Sequence, residues 1–327
     1  MGRPDSDLAG LVAGYRQSQL LRAIAELDIP RHIAPSPVPV EVLASLTGTD
    51  FRLLARLCRA LVADGMLDTS QDGAIVDTPI AARLRDPGYR AMVLGWTLLP
   101  AAYEQWGRLS DIVRGAPRAA DTFHATLEHD PAQLAAYSAA MESTIDGFNA
   151  VVAGHDFGRY RTIVDVGGGE GTFLAAVLRA NPSAHGILLD LPAVVAGAPA
   201  RLAGYGVADR VDIVGGDAFD SMPAGADAYV LSTVLRCFDD PDASRLLQRC
   251  RQAMSPASRV VIVEMVIPDD NVSAGSAIAD LTALVVYGGG DRTEDEWAVL
   301  LESAGLRIDA STEVDPPYRV IEAVAAA

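Results

Sequence analysis

Hydrophobic residues recur with two different periods along this chain, and the period changes near residue 160. Before that point, apolar residues recur every three or four positions, which is the period of a helix with one buried face. The first such stretch has Leu8, Leu11, Val12 and Tyr15 on this spacing. The pattern predicts helices over residues 8–27, 40–46, 50–64, 78–84, 92–113 and 131–153.

Beyond residue 161, short continuous apolar runs alternate with amphipathic stretches. The runs predict strands over residues 162–166, 186–189, 211–214, 228–231, 259–266 and 319–324. The stretches between them predict helices over residues 171–180, 193–202, 242–254 and 293–304. This alternation is typical of a mostly parallel sheet with helices on both faces. We therefore expect an α/β protein with two domains: a mostly helical one over residues 1–155 and a doubly wound core over residues 156–327.

A hairpin signal interrupts the N-terminal helices. The pair Asp72-Gly73, which favours a tight turn, separates two short extended runs. Two helices followed by such a hairpin outline a winged helix. A basic stripe on the second of these helices consists of Arg52, Arg56 and Arg59. The hairpin itself carries no cation, so we expect an element for dimerisation or for covering a substrate, with no nucleic acid as partner.

Composition narrows the functional classes further. The chain contains no lysine, and its formal net charge of −17 over 327 residues repels nucleic-acid phosphates. The three cysteines share no zinc-binding spacing, so we expect neither a disulfide framework nor a metal site. The sequence shows no secretory leader and no apolar run of membrane-spanning length, which predicts a cytoplasmic protein without a membrane partner.

The strongest chemical signal is a glycine-rich turn between an apolar strand and a helix. Residues 163–173 read I-V-D-V-G-G-G-E-G-T-F, a G-x-G-x-G pattern that differs from the G-x-G-x-x-G of dinucleotide binders. The P-loop pattern also fails, because it requires a lysine. Asp190 ends the next apolar run, where an acid can bind ribose hydroxyls, and Asp217 follows the third run beside Phe219. Together these strand ends predict a site for a nucleoside-containing cofactor.

At these residues the chain resembles the S-adenosylmethionine-dependent O-methyltransferases of the plant caffeate type and of actinomycete natural-product pathways. The matching segments are residues 165–171, 190–192, 216–219, 239–250, 263–264 and 288–293. The resemblance covers nearly the whole chain. It implies a Rossmann-like core, S-adenosyl-L-methionine as cofactor, a small-molecule substrate, and a homodimer formed through the N-terminal helices.

The resemblance also implies the residues of each site. The cofactor would contact the glycine-rich turn, the acids at the strand ends and their neighbours: Asp165, Gly167, Gly169, Gly171, Asp190, Leu191, Asp217, Ala218, Phe219 and Ser232. Its methionine part would lie against the glycines, its ribose on Asp190 and its adenine at residues 217–219. The substrate pocket would be lined by Met141, Asn149 and His124, although core packing explains Met141 equally well.

The chain departs from the family where the general base is expected. Family members usually carry His-Asp-Trp-Asp-Asp after the fourth strand, with the histidine as base, whereas this chain has R-C-F-D-D over residues 236–240. A guanidinium cannot accept a proton near neutral pH. The catalytic residues implied here are therefore Arg236, Cys237 and the two carboxylates that would flank the histidine, Glu264 and Asp291.

Four interpretations of Arg236 are open. Arg236 binds an anionic substrate that needs no base, or another group, such as Asp291 or Cys237, is the base. In the third interpretation, the chain has lost methyl transfer and uses the cofactor to hydroxylate, decarboxylate or rearrange its substrate. In the fourth, Arg236 forms a structural ion pair with Asp239, Asp240 or Glu264. We expect methyl transfer to a hydroxyl or carboxylate of an aromatic or polyketide natural product, with the non-methylating reaction as the alternative. A winged-helix regulator that senses the cofactor is disfavoured by the acidic charge.

Overall fold

The computed structural model describes residues 8–98, 100–116, 129–142, 145–268, 272–315 and 318–326. These residues form two compact units. One comprises Met1–Tyr103 with Ala135–Ser143, and the other comprises Glu104–Leu134 with Thr144–Ala327. The predicted division after residue 155 stays a prediction.

The N-terminal part of the chain is helical, as predicted. Its helices are α1 (Leu8–Glu26), α2 (Ile29–His32), α3 (Val40–Thr47), α4 (Phe51–Ala63), α5 (Pro79–Arg83), α6 (Pro87–Leu98), α7 (Pro100–Trp106), α8 (Leu109–Val113), α9 (Pro131–Glu142) and α10 (Ile145–Gly154). The single helix predicted over residues 92–113 is wrong: the chain breaks into three helices there. Pro100 cannot donate the backbone hydrogen bond that a continuous helix requires. Gly107 and Arg108 form tight i−3 turns instead.

The winged-helix element is confirmed. Its hairpin consists of strands β1 (Asp68–Thr69) and β2 (Ile75–Val76), which pair antiparallel across the predicted turn. The second helix of the element, α4, starts at Asp50, whose carboxylate caps it by accepting from the Leu53 amide. Apolar residues of α3, α4 and the hairpin share one core, including Leu43, Leu54, Leu61 and Ile75.

The second unit is built on a seven-stranded sheet. Its strands are β3 (Thr162–Val166), β4 (His185–Asp190), β5 (Val211–Gly215), β6 (Ala228–Ser232), β7 (Arg259–Met265), β8 (Leu306–Asp315) and β9 (Tyr318–Ala325). The spatial order is β5-β4-β3-β6-β7-β9-β8. Strands β3 to β7 run parallel, and β9 is antiparallel to both β7 and β8. The expected doubly wound α/β core is confirmed.

Helices cover both faces of this sheet: α11 (Thr172–Ala180), α12 (Pro192–Val195), α13 (Ala198–Gly204), α14 (Asp240–Ala253), α15 (Ala274–Tyr287) and α16 (Glu294–Ser303). Successive residues of β3 enter opposite cores. Ile163 belongs to one, whereas Val164 and Val166 belong to the other. This double burial explains why the strand reads as a continuous apolar run.

In the second unit, the sequence pattern missed strand β8 and helix α15. Strand β8 lies at the edge of the sheet and exposes much of its length, so it lacks the continuous apolar run of a buried strand. Helix α15 is composed mainly of small and apolar residues, which give no clear helical periodicity. Because β3 to β7 are parallel, their carboxyl ends lie at one edge of the sheet, where α/β proteins bind ligands.

Candidate active site

The glycine-rich turn after β3 forms an open backbone surface. Gly167, Gly169 and Gly171 have positive φ angles of 66°, 63° and 86°. A Cβ at Gly169 would meet no atom within 4 Å, so this peptide faces open space. A Cβ at Gly168 would come within 2.5 Å of the Asp165 carboxyl group. The turn therefore leaves no room for a side chain at Gly168 but exposes backbone at Gly169, and helix α11 starts directly after it.

Asp190 holds this turn in place from the end of β4. One carboxylate oxygen, Oδ2, accepts from the Gly169 amide at 2.7 Å. The other, Oδ1, accepts from the Leu191 amide at 2.7 Å. The sequence signal that selected Asp190 thus corresponds to a side chain that binds the glycine-rich turn directly.

Asp165 lies beneath the turn and is 1 % exposed. Neither of its carboxylate oxygens has a hydrogen-bond partner. Burial, reinforced by the neighbouring charge of Asp190, raises the pKa of Asp165 to about 7. Two carboxylates beside an open backbone surface suit a cationic ligand with hydroxyl groups. S-adenosylmethionine, which carries a sulfonium, an ammonium and a ribose, fits these groups.

The turn after β5 is organised by its own side chains. Asp217 accepts from the Phe219 amide at 2.8 Å. The Phe219 ring meets Phe238 edge-on at 5.3 Å, and the Arg245 guanidinium lies 4.4 Å from its centroid. Ala218 is packed against the core beneath this turn. The sequence missed Phe238 and Arg245 as partners of Phe219, because neither stands near it in the chain.

Ser232 and Glu264 end the next two strands of the sheet. The Ser232 hydroxyl and the Glu264 Oε2 atom are both buried and have no hydrogen-bond partner. Val263, which precedes Glu264, pairs with Ser232 in the register of β6 and β7. The carboxyl ends of neighbouring strands thus bring two unsatisfied polar groups to the same edge as the glycine-rich turn.

Arg236 lies in a short 3₁₀ turn after β6, and its side chain is fixed from two directions. Nε donates to Asp291 Oδ1 at 2.8 Å, and Nη2 donates to Asp291 Oδ2 at 3.1 Å. Nη2 also donates to the Ala279 carbonyl in α15 at 3.0 Å. The partner is thus Asp291, which corrects the pairing suggested with Asp239, Asp240 or Glu264. Asp239 caps α14, and Asp240 accepts from Arg292.

The backbone of the Arg236 turn is held equally firmly. The Arg236 amide donates to Glu264 Oε1 at 3.2 Å, and its carbonyl accepts from the Gly290 amide at 3.0 Å. A Cβ at Gly289 would overlap that carbonyl oxygen. Residues 288–291 therefore pack directly on the turn. This explains why glycines precede Asp291 in the sequence.

The titratable groups of this cluster have pKa values shifted from their ordinary range. Burial raises the pKa of the Cys237 thiol to about 12, with Glu264 adding to the effect. Burial also raises the pKa of Glu264 to about 7 and that of Asp291 above its usual range, although Arg236 opposes both shifts. Burial alone would lower the pKa of Arg236, but Asp291 and Glu264 raise it above its ordinary value. The cluster is a fixed hydrogen-bond donor.

The residues predicted to line a substrate pocket are distributed differently. Met141 lies in α9 and is partly buried. Asn149 lies in α10 and is exposed. His124 lies outside the described residues. All three stay predictions.

In the described part of the chain, no group of three His, Cys, Asp or Glu side chains has the arrangement of a metal site. None of the helices described combines the length and hydropathy that a bilayer crossing needs.

Comparison with known proteins places both parts of the chain. Residues 106–307 match the model of the O-methyltransferase domain, and residues 9–100 match the O-methyltransferase dimerisation domain. The mitomycin biosynthesis 6-O-methyltransferase of Streptomyces lavendulae is 34 % identical over 95 % of this chain and 92 % of its own length.

Solved structures give the same result. The mitomycin 7-O-methyltransferase superposes with a TM-score of 0.92 and 32 % identity, covering 98 % of both chains. An O-methyltransferase from neocarzinostatin biosynthesis, in complex with S-adenosylmethionine and 2-hydroxy-5-methyl naphthoic acid, has a TM-score of 0.83 and 29 % identity over 99 % of both chains. With its cofactor-binding geometry, its sheet topology and these matches in agreement, the chain belongs to the S-adenosylmethionine-dependent O-methyltransferase family.

Proposed function

We propose that this enzyme methylates an oxygen atom, a hydroxyl or a carboxylate, on a small aromatic or polyketide natural product. The observation that carries the proposal is the open glycine-rich turn pinned by Asp190 above the unpartnered carboxylate of Asp165. The relatives support the substrate class, since one is named for mitomycin biosynthesis and another holds a hydroxylated naphthoic acid.

Each element of the cofactor half has a role in this proposal. Asp190 accepts from the ribose hydroxyls while it holds the Gly169 amide, and Gly167 and Gly171 let the backbone approach the methionine part. Asp165 and Ser232 offer buried acceptors toward its cationic end. Leu191, Asp217, Ala218 and Phe219 receive the adenine. When bound, S-adenosylmethionine supplies a methyl group already activated by a sulfonium.

The residues at the acceptor end position and orient the substrate oxygen that receives the methyl group. Arg236 presents a fixed cation that Asp291 and Glu264 hold in place through the side chain and the backbone. Positioning supplies much of the acceleration when two reactants are held together. A general base contributes typically about 10²- to 10⁴-fold. Methyl transfer is thus compatible with Arg236 where a histidine is usual, provided that the acceptor oxygen is a good nucleophile.

The N-terminal part, residues 1–155, is proposed to form a homodimer and to cover the substrate, and residues 156–327 to form the catalytic core. Helix α1 exposes an apolar face in the single chain, with Leu8 and Val12 each 71 % exposed. Such a face is typical of an interaction surface. Light scattering should report twice the monomer mass, and Val12→Glu should shift it toward the monomer. Val299→Glu, at an apolar position of α16 that is 68 % exposed, is the matched control and should leave the mass unchanged.

Product analysis tests the proposed reaction. The enzyme would be incubated with methyl-labelled S-adenosylmethionine and a panel of hydroxybenzoic and hydroxynaphthoic acids, and the products weighed by mass spectrometry. A product heavier by one labelled methyl group supports the proposal. A product of changed mass without the label, with the cofactor recovered intact, would replace methyl transfer by the non-methylating alternative.

A further inference from the structure

We propose, building on the proposed methyl transfer, that the substrate is an oxygen acid that binds as its anion, an acidic phenol or a carboxylate, and that Nη1 of Arg236 recognises the charged oxygen. Under this proposal no group of the enzyme removes the substrate's proton. Arg236 is then a selectivity filter for ionised acceptors where its relatives carry a base.

The hydrogen bonds of the guanidinium leave one donor group available. Asp291 occupies Nε and one position of Nη2, and the Ala279 carbonyl occupies the other. Within the described residues, Nη1 makes no hydrogen bond. A guanidinium nitrogen can donate but cannot accept. The group that Nη1 can bind is therefore an acceptor, and an ionised oxygen is bound more strongly than a neutral one.

The cation is more accessible than its counter-charges. The Arg236 side chain keeps 16 % of its surface exposed, whereas the Asp291 side chain keeps 2 %. Glu264 is 1 % exposed. Arg292, the other nearby cation, donates to Asp240 and to two backbone carbonyls of the Arg236 turn. An incoming molecule therefore meets the positive edge of the ion pair and not its carboxylate.

The acids around Arg236 are poorly placed to take a proton from a substrate. Both oxygens of Asp291 accept from the guanidinium, and Asp280 faces the Asp291 amide. Glu264 uses Oε1 for the Arg236 amide, and its Oε2 atom is buried away from the surface. The Cys237 thiol is directed at the Thr233 carbonyl at 3.7 Å. Asp280 is the partly exposed carboxylate of this cluster, and its Oδ1 atom already accepts from the Asp291 amide.

The chemistry balances without a proton acceptor. The substrate loses its proton to water before binding. A lone pair of the oxygen anion then forms the O–C bond as the C–S bond breaks, and the sulfur keeps that electron pair. The products are the methylated oxygen and S-adenosylhomocysteine, with no proton left on the enzyme.

A chromogenic phenol tests the binding step directly. 4-Nitrophenol absorbs visible light as its anion, so its ionised fraction can be read from the spectrum in the presence of S-adenosylhomocysteine and saturating wild-type enzyme. An opposite charge within about 4–6 Å shifts a pKa by roughly one to three units. We expect the bound phenol to ionise at least about one pH unit below the free phenol in wild type, and at or above the free value in Arg236→Gln.

Three controls keep the result interpretable. Arg236→Lys retains a cation and should restore part of the shift, which a purely structural role of Arg236 would not predict. 4-Nitroanisole, which resembles the phenol but carries no acidic proton, should bind wild type and Arg236→Gln within a factor of about three. Calorimetry with S-adenosylhomocysteine checks that each variant retains its cofactor site.

The opposite outcomes overturn the proposal. These are a bound phenol that ionises at the same pH as the free one, a shift that survives in Arg236→Gln, or no binding of 4-nitrophenol to an enzyme that binds S-adenosylhomocysteine. None of these readouts requires turnover. A phenolate that binds on Arg236 but is never methylated would refute the proposed function and leave this inference standing. Rapid methylation of weakly acidic phenols would support the proposed function and refute this inference.

Discussion

The two ends of the candidate active site are built by different means. The cofactor end relies on backbone: three glycines with positive φ and an amide held by Asp190. The acceptor end relies on side-chain charge, since Asp291 and Glu264 fix Arg236. At the second end, Arg236 stands where the resemblance to the family implied a histidine base. A backbone cradle admits few alternatives to glycine, whereas a charge cluster can change its chemistry when one residue changes.

The largest effect is expected on cofactor affinity when Asp190 at the cofactor end is removed. Asp190→Ala removes the acceptor of the Gly169 and Leu191 amides and the proposed ribose partner. Hydrogen bonds to charged groups contribute about 1.5–3 kcal/mol each, so S-adenosylhomocysteine should bind at least roughly a hundredfold more weakly. Calorimetry measures this directly. Asp212→Ala, at an exposed acid on neighbouring β5, is the control, and an Asp190→Ala affinity within threefold of wild type would remove this residue from the cofactor site.

The next effect concerns the acceptor end. Restoring the family's usual residue with Arg236→His should lower kcat on an acidic phenol by roughly ten- to a hundredfold, because the imidazole cannot replace the paired charge-assisted bonds to Asp291. Steady-state kinetics on a substrate found by the product screen checks this. A variant faster than wild type on that same phenol would show that the cluster is a damaged base site and not a site for anions.

A smaller effect on S-adenosylhomocysteine affinity is expected at Gly169. Comparing it with Gly206 separates the loss of cofactor binding from the general cost of placing alanine at a positive φ angle. Gly169 and Gly206 both have positive φ and open space around the missing Cβ. An alanine at either position costs about 1–2 kcal/mol in stability. Only Gly169→Ala should also weaken S-adenosylhomocysteine binding, by roughly tenfold, because Gly206 precedes β5 at the other end of the strands. Equal affinities in the two variants would contradict the cradle.

The last effect is on stability and arises from the buried carboxyl group beneath the glycine-rich turn. The pKa of Asp165 is about 7 in the folded protein, above the ordinary value of an aspartate, so the folded state holds a proton that the unfolded chain has lost. Wild-type stability should therefore fall by about 1.4 kcal/mol for each pH unit between roughly pH 4 and pH 7 from this group. Asp165→Asn has no ionisable group at this position, so it should not lose this stability as the pH rises. Without cofactor its melting temperature should exceed that of wild type by roughly ten degrees at pH 8 and not at pH 4, and an equal difference at both would refute the burial argument.

The sequence alone sufficed to propose the cofactor end because its signals are local. The glycines, Asp165 and the start of α11 fall within a dozen consecutive residues. The ion pair of Arg236 could not be predicted in this way, since Asp291 lies 55 positions away and three other carboxylates were plausible partners. Helix α15, which supplies the Ala279 carbonyl, was missed as well, so the second contact of the guanidinium had no counterpart in the sequence analysis.

The central claim is that the acceptor arrives already ionised, and the pH dependence of kcat/KM tests it most directly. Two hydroxynaphthoic acids of similar shape would be compared, one of them carrying a nitro group that acidifies its hydroxyl. Such a profile reports the ionisations of the free enzyme and of the free substrate. The account predicts that the acidic limb follows the hydroxyl pKa of each substrate and moves between the two. One inflection at the same pH for both substrates would reveal a base on the enzyme and contradict the account.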